Sequence, residues 1–364
     1  MALSCGIIGL PMVGKTTFFN LLTNAGVETS AFFSGKTTTN NGHALIPDSR
    51  INYLAGIFKP KKTTYARVEV IDIPGLVRGA SRGQGSGNEF LSAIRQTDAL
   101  AHIVRAFENE DILHAEGSLD LLRDIETINM ELLFADLQLI ETRLEKINSG
   151  HKKKLEHPLE EDALKKCRAY LEDEKPLKQL DLSIDEEEAL KHMTFLTKKP
   201  MLIVLNLDEN QFASQDYPQK EQVEAYCAAE NMVMLTVCAR LEEEIEQLPE
   251  EEKSLFLADL GINESGVARM AQAFYRQLGL ISFLTAGEDE VRAWTIVSGT
   301  PAKIAAGKIH SDIERGFIRA ETVAFAHLEE AGSMAAAREK GFFRLEGKEY
   351  IVKDGDIINF RFNV

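Results

Sequence analysis

The sequence predicts an α/β protein built on a mainly parallel sheet, with an α-helical hairpin inserted into it and a small α+β domain after it. Three observations carry this. Short apolar runs alternate with helical patterns over much of the chain, the order that yields a parallel sheet covered on both faces. That alternation stops between about 124 and 198, where apolar residues recur at helical spacing. From about Leu280 the texture changes again and becomes rich in β-forming residues.

Length and composition agree. A chain of 364 residues is longer than one ordinary core organises. Hydrophobic residues make up 44% and charged residues 27%, the range of a folded globular protein. The formal net charge of −16 argues against a nonspecific nucleic-acid coat, because phosphate binding is driven by Lys and Arg. No sequence-specific DNA binding is expected either. Cys5, Cys167, Cys227 and Cys238 form no CxxC pair and no metal spacing, which fits free thiols in a reducing compartment. The N-terminus has no basic n-region of a signal peptide. No apolar run approaches the ~20 residues of a membrane span. The expected location is the cytoplasm, with no membrane partner.

Ser4–Gly9 reads as a short buried strand, followed by a Gly-containing loop and a helix from Lys15 with Phe18, Leu21 and Leu22 on one face. Val68–Ile73, Ala99–Val104, Met201–Asn206 and Met232–Cys238 read as the second to fifth strands. Between the third and fourth, Ile125, Ile128, Leu132, Ala135 and Leu139 recur at spacings of 3 and 4, as on one seam of a coiled coil. Gly150 and Pro158 bracket a basic turn at His151–Lys154, and a second helix runs from about Leu159 to Leu171. Ser183 and Glu186 offer a capping box before another helix. In the C-terminal part, Val291–Val297, Gly316–Val323, Phe342–Leu345, Glu349–Val352 and Ile357–Phe362 read as strands, with helices at Pro301–Ala306 and His327–Lys340. The expected boundaries are 1–123 with 199–280 for the α/β domain, 124–198 for the helical insertion and 281–364 for the last domain.

The chemistry concentrates at the ends of the predicted strands. Gly9-Leu-Pro-Met-Val-Gly14-Lys15-Thr16 matches G-x-x-x-x-G-K-[ST], a phosphate-binding loop, between a strand and a helix. Its glycines let backbone N–H groups of Met12, Val13, Gly14 and Thr17 close on phosphate oxygens. Lys15 supplies positive charge to the β- and γ-phosphates, and the Thr16 hydroxyl ligates Mg²⁺. The helix dipole points its positive end at the same place. Asp72-Ile-Pro-Gly75 follows the second strand. A D-x-x-G here lets the Asp act on Mg²⁺ while the Gly75 N–H senses the γ-phosphate. Leu76 stands where related switches carry a water-orienting Gln, and a leucine cannot hydrogen-bond water. His114, after the third strand, is the expected substitute: a neutral imidazole can accept a bond from the attacking water.

Base recognition is expected from Asn206-Leu207-Asp208-Glu209 and from Cys238-Ala239-Arg240. Guanine-selective proteins carry N-K-x-D at the first place, whose Asp accepts two bonds from guanine. Leu207 and Glu209 depart from that pattern, so strict guanine selection is not expected. Adenine presents a ring acceptor where guanine presents a donor.

Together these motifs resemble the Obg-related ATPases of the YchF group. The resemblance rests on G-L-P-x-V-G-K-T-T at the start, D-I-P-G-L-V-R-G-A-S-R-G-Q-G-S-G-N at 72–88 and N-x-x-E at 206–209. It continues through R-A-W-T-I at 292–296, H-S-D-I-E-R-G-F-I-R-A-E at 310–321 and the last eighteen residues. It covers essentially the whole chain. It implies a P-loop NTPase domain of the Obg type, a coiled-coil insertion and a C-terminal TGS domain of β-grasp fold. It also implies ATP preferred to GTP, Mg²⁺ dependence and association with the ribosome, through the large subunit or the whole particle. Two positions depart from the family: Met12 replaces a usual Asn, and switch I lacks its usual Thr, with Lys36 at that place and Thr37 or Thr38 beside it. Thr37 is the expected third metal ligand. Competing readings are a GTPase switch, a P-loop kinase, for which no acceptor site or base is evident, and a nucleotide-binding protein with vestigial hydrolysis.

Overall fold

The computed structural model describes residues 3–27, 39–76, 87–109, 111–149, 157–259, 261–262 and 264–363. Lys36, Thr37, Thr38 and the basic turn at 151–154 lie outside the described residues, as does most of the segment after Leu76. The chain forms two compact units, residues 1–42 with 69–267 and residues 43–68 with 268–364.

In chain order the elements begin β1 (Ser4–Ile8), α1 (Lys15–Thr23), β2 (Asn40–Ile46), α2 (Ser49–Phe58), β3 (Lys62–Thr64), β4 (Ala66–Asp72), α3 (Gly87–Arg95) and β5 (Ala99–Arg105). They continue as α4 (Leu121–Asn148), α5 (Glu160–Glu172), α6 (Ile184–Leu190), β6 (Met201–Asn206), α7 (Glu209–Ser214), α8 (Lys220–Ala229), β7 (Val233–Val237), α9 (Ala239–Gln247), α10 (Glu250–Asp259) and α11 (Gly266–Gln277). The last stretch holds β8 (Leu280–Ala286), β9 (Glu290–Val297), α12 (Ala302–Ile309), α13 (Ser311–Arg315), β10 (Phe317–Ala324), α14 (Phe325–Ala331), α15 (Met334–Glu339), β11 (Arg344–Glu346) and β12 (Asp356–Phe362).

The first sheet runs β2-β4-β1-β5-β6-β7. β1 lies parallel between β4 and β5, and β5, β6 and β7 continue in parallel register. β1 and β5 are buried at every position, as expected for apolar runs covered on both faces. Because the strands are parallel, the loops after β1, β4, β5, β6 and β7 leave from one edge of the sheet, where ligands of such folds bind. On α1 the buried apolar side chains are Phe18, Phe19 and Leu22, and Leu21 is only half-buried. Phe19 takes the position that the sequence pattern had given to Leu21.

α4 serves two cores. Leu121 and Ile125 join the cluster of Val104, Ile203 and Leu205 under the sheet. Leu133, Ile140 and Leu144 pack instead with Ala163, Leu164, Cys167 and Leu171 of α5 and Leu190 of α6. The single coiled-coil seam expected from the sequence is therefore two faces in succession. A straight helix of 3.6 residues per turn drifts away from a 3.5-residue seam over this length. Asp136, fully buried on α4, accepts from the Leu196 and Thr197 amides at 2.9 and 2.8 Å and from the Thr197 hydroxyl at 2.8 Å. The capping box at Ser183 and Glu186 is formed.

The second unit holds the sheet β11-β10-β12-β8-β9-β3. β10 is antiparallel to β11 and β12, β12 parallel to β8, β8 antiparallel to β9 and β9 parallel to β3. Phe283, Ile296, Ala302, Ala306, Ala320, Ile358 and Phe360 form its core. Three sequence expectations change here. Residues 349–352 make no strand, only an isolated bridge from Ile351 to Pro301. The helix expected over 327–340 breaks at Gly332, whose φ of 75° ends α14 before Ser333 caps α15. Residues 43–68, expected within the first domain, join this unit instead. β3 pairs Thr63 with Val291 of β9, and Ile51 and Leu54 of α2 are fully buried. A three-residue strand and one short amphipathic helix carry no sequence signal for which sheet they serve. Among the described residues no helix is long and apolar enough to cross a membrane.

Candidate functional site

The loop after β1 is shaped by close backbone approach. A Cβ on Gly9 (φ 148°) would stand 2.4 Å from the Ile103 carbonyl oxygen, and one on Gly14 (φ 100°) 2.7 Å from Asn206 Nδ2. Only glycine fits these two places. Met12 adopts φ 62°, left-handed backbone that costs a side-chain-bearing residue about 1 kcal/mol and that Asn tolerates more readily.

α1 begins at Lys15, so its unpaired N–H groups face the loop. Lys15 is buried, and its Nζ donates to the Leu10 carbonyl at 2.7 Å. Burial pushes its amine down to about 8, with the Asp72 charge opposing. Thr16 Oγ1 donates to Asp72 Oδ2 at 2.9 Å. Burial raises the Asp72 carboxyl above its ordinary range, opposed by Thr16, Lys15 and Asn40. Gly75 abuts the same loop: a Cβ there would lie 3.0 Å from Pro11 backbone atoms and 3.1 Å from Lys15 Nζ. The Leu76 amide donates to the Gly9 carbonyl at 3.1 Å while its side chain is buried. Leu76 therefore links the two motifs through backbone and offers no polar group. A buried ammonium, a hydroxyl, a carboxylate and a helix N-terminus within one loop suit a polyphosphate with a hard cation.

The cleft beyond has a volume of about 650 Å³. Met12, Val13, Gly14, Lys15, Thr16 and Thr17 line one side, and Asn206, Leu207, Glu209, Cys238 and Ala239 the other. Asn206 is the tie between them. Its Nδ2 donates to the Val13 carbonyl at 3.1 Å, and its Oδ1 accepts from the Ala239 amide at 3.1 Å. Leu207 lines the cleft although its amide donates to the Val237 carbonyl at 2.8 Å and its side chain packs in the core. Glu209, half exposed, pairs with Arg240 Nε at 3.1 Å.

His114 is not among the residues lining the cleft. Its Nδ1 accepts from the Glu116 amide at 3.2 Å, and its Nε2 stands 2.9 Å from Asp124 Oδ2 on α4. Nδ1 is thus occupied and Nε2 is turned to α4, which corrects the expectation that His114 stands ready beside the phosphates.

The sequence reading missed the loop after β5. Phe107, Glu108, Asn109 and Ile112 line the cleft, with Arg240 and Glu243. Arg105, buried, shapes that loop: it donates to the Phe107 carbonyl at 2.8 Å, the Ile112 carbonyl at 2.9 Å and the Asn109 carbonyl at 3.4 Å. An arginine closing a strand whose every position is buried was the available signal.

Comparison with known proteins adds the following. The family described as 50S ribosome-binding GTPase matches residues 4–142, and the YchF-GTPase C-terminal family, described as a protein of unknown function, matches residues 280–363. The ribosome-binding ATPase YchF of Bacillus subtilis is 46% identical over 366 residues, covering 100% of both chains. The protein of the same name from Escherichia coli O157:H7 is 45% identical, again covering 100% of both. The solved structure of the Schizosaccharomyces pombe YchF GTPase matches with a TM-score of 0.82 and 30% identity, covering 99% of this chain and 98% of that one.

Proposed function

The chain belongs to the YchF family, and on that premise we propose that it hydrolyses ATP to ADP and phosphate, with its nucleotide state governing binding to the ribosome in the cytoplasm. The observation that carries the hydrolytic part is the convergence of Lys15, Thr16 and Asp72 at the start of α1.

Thr16 and Asp72, oxygen donors already 2.9 Å apart, fit Mg²⁺, which when bound neutralises charge on the β- and γ-phosphates. Thr37 is the proposed third ligand. Lys15 trades its bond to the Leu10 carbonyl for phosphate oxygens. Backbone N–H groups from Met12 to Thr17 cradle the phosphates, and Gly75 senses the γ-phosphate. Water attacks the γ-phosphorus, the bond to the bridging oxygen breaks and that oxygen leaves on ADP. The attacking water's proton needs an acceptor, and Leu76 supplies none. We assign that role to His114, once its loop releases Nδ1 from the Glu116 amide.

The relatives' names divide between ATPase and GTPase. ATP is favoured here because Glu209, a longer carboxylate than the Asp that accepts both guanine donors, cannot take the same place. Asn206, Glu209, Cys238 and Ala239 frame the base. Residues 1–42, 69–123 and 199–267 are read as the nucleotide domain and 124–198 as the coiled-coil insertion, with 281–364, inside the second unit, as a TGS domain.

Two measurements test the proposal. Calorimetry should find ATP bound more tightly than GTP, and GTP bound tenfold more tightly would reverse the assignment. Co-sedimentation with ribosomes, run with a nonhydrolysable ATP analogue and with ADP over a salt series, should give different pelleting in the two states. No pelleting in either state at low salt removes the ribosome from the account. Equal pelleting removes the switch.

A further inference from the structure

Asp124 lies at the start of α4, 2% exposed, outside every motif considered above. Its two oxygens do different things. Oδ1 accepts from Arg123 Nη2 at 2.8 Å and Nε at 3.1 Å. Oδ2 faces His114 Nε2 at 2.9 Å. Since His114 Nδ1 accepts from the Glu116 amide, the neutral ring carries its proton on Nε2, towards Asp124. The approach lacks hydrogen-bond alignment, so both atoms keep unspent capacity in a buried setting. A buried polar contact left part-satisfied is a costly one that a competing arrangement can displace. Burial also pushes the Asp124 carboxyl upward, opposed by Arg123 and His114.

The loop around this contact is fastened at both ends. Arg123 holds the Ser118 carbonyl and its hydroxyl, the latter at 2.9 Å. Arg105 holds the carbonyls of Phe107 and Ile112. Ile112 reaches the cleft while His114, two residues on, is turned to α4.

We propose that Asp124 is a positioning residue that parks His114 away from the cleft, so that release of this buried pair sets the rate of partner-free hydrolysis. The proposal rests on the reading of His114 as the proton acceptor. In the parked state the acceptor nitrogen is capped by a backbone N–H and the opposite nitrogen faces Asp124 on α4. Freeing Nε2 loosens the ring, and loss of the Glu116 bond exposes Nδ1 to water. A residue whose only role is structural lowers activity when removed. A parking residue raises it, and the rise vanishes when His114 is absent.

The test is steady-state phosphate release from ATP by the full-length protein without ribosomes. Asp124→Asn should raise kcat by about tenfold, since it weakens one buried charged contact, with KM for ATP little changed. Arg123→Gln, which loosens Asp124 and Ser118 together, should raise kcat by a smaller factor. Asp124→Asn combined with His114→Ala should match His114→Ala alone. Thermal unfolding and ATP affinity serve as controls for folding. Unchanged or lowered kcat in folded Asp124→Asn and Arg123→Gln, with His114→Ala still impaired, overturns the parking role and leaves the acceptor in place. Full activity of His114→Ala overturns the acceptor reading, and the parking role with it.

Discussion

At the phosphate end of the cleft Lys15 and Asp72 are buried, and the glycines there admit no Cβ without a clash, whereas at the base end Glu209 is half exposed and meets an Arg240 that is 78% exposed. The first end is interlocked through backbone: Leu76 to Gly9, Asn206 to Val13, Gly75 against Pro11. The second sets the exposed Glu209–Arg240 pair beside the buried Asn206, Cys238 and Ala239. The contrast teaches that recognition of the triphosphate is built into the fold, while recognition of the base is an adjustable margin. Affinity for nucleotide and choice between nucleotides should therefore respond very differently to substitution.

The largest effect is expected from Lys15→Ala and Thr16→Ala, each lowering turnover by about 100- to 1000-fold, as for loss of one preorganised electrostatic group. Phosphate release measures this, and near-normal rates in either variant would dissolve the contrast. Asn206→Ala comes next. It strips partners from the Val13 carbonyl and the Ala239 amide, and unsatisfied buried groups cost about 1–3 kcal/mol each. Thermal unfolding should show that loss, and ATP and GTP affinities should fall by similar factors. A selective loss of one nucleotide would move Asn206 to the adjustable side.

A pH effect follows from Lys15. Its folded-state value of about 8 lies below the ordinary 10.5, so below pH 8 the folded chain bears the cost of a buried charge. Stability gained from releasing that proton accrues as pH rises from 8 towards 10.5. A bound triphosphate holds Lys15 protonated, so binding takes up a proton above pH 8. ATP affinity should then weaken there, by at most about tenfold per pH unit. Calorimetry in buffers of different ionisation heat reads the proton directly, and no uptake at pH 9 contradicts the buried-ammonium picture. The smallest effect belongs to Arg240→Ala. An exposed ion pair contributes about 0–1 kcal/mol, so the ratio of ATP to GTP affinity should change by less than about fivefold. A larger change would make the base end as rigid as the phosphate end.

The same contrast governs how much was legible in the sequence. The phosphate end is written in contiguous residues, Gly9–Thr16 and Asp72–Gly75, and strand ends carry both where expected. Backbone geometry demands those residue types whatever surrounds them. The base end and the loop after β5 depend on tertiary placement. Nothing local distinguishes Phe107 or Asn109 from any loop residue, and only the anomalous Arg105 hinted at a built turn. His114 was singled out by position along the chain, which says nothing about which way a side chain turns. Leu207 follows β6 directly and packs in the core, a placement that the N-x-x-E pattern does not carry. Likewise the expected boundary 1–123 follows contiguity, whereas pairing of β3 with β9 belongs to the second unit.

α4 and its partners also bear on how the chain finds its fold. Leu100 of β5 pairs with Met201 of β6, roughly 100 residues later, and closing so long a loop costs about 4 kcal/mol of chain entropy. The inserted helices lie wholly inside that loop. Asp136 on α4 grips the Leu196 and Thr197 amides just before β6 begins. Were the insertion to form first, this tie would leave less chain to close when β6 meets β5, a consequence for assembly separate from binding.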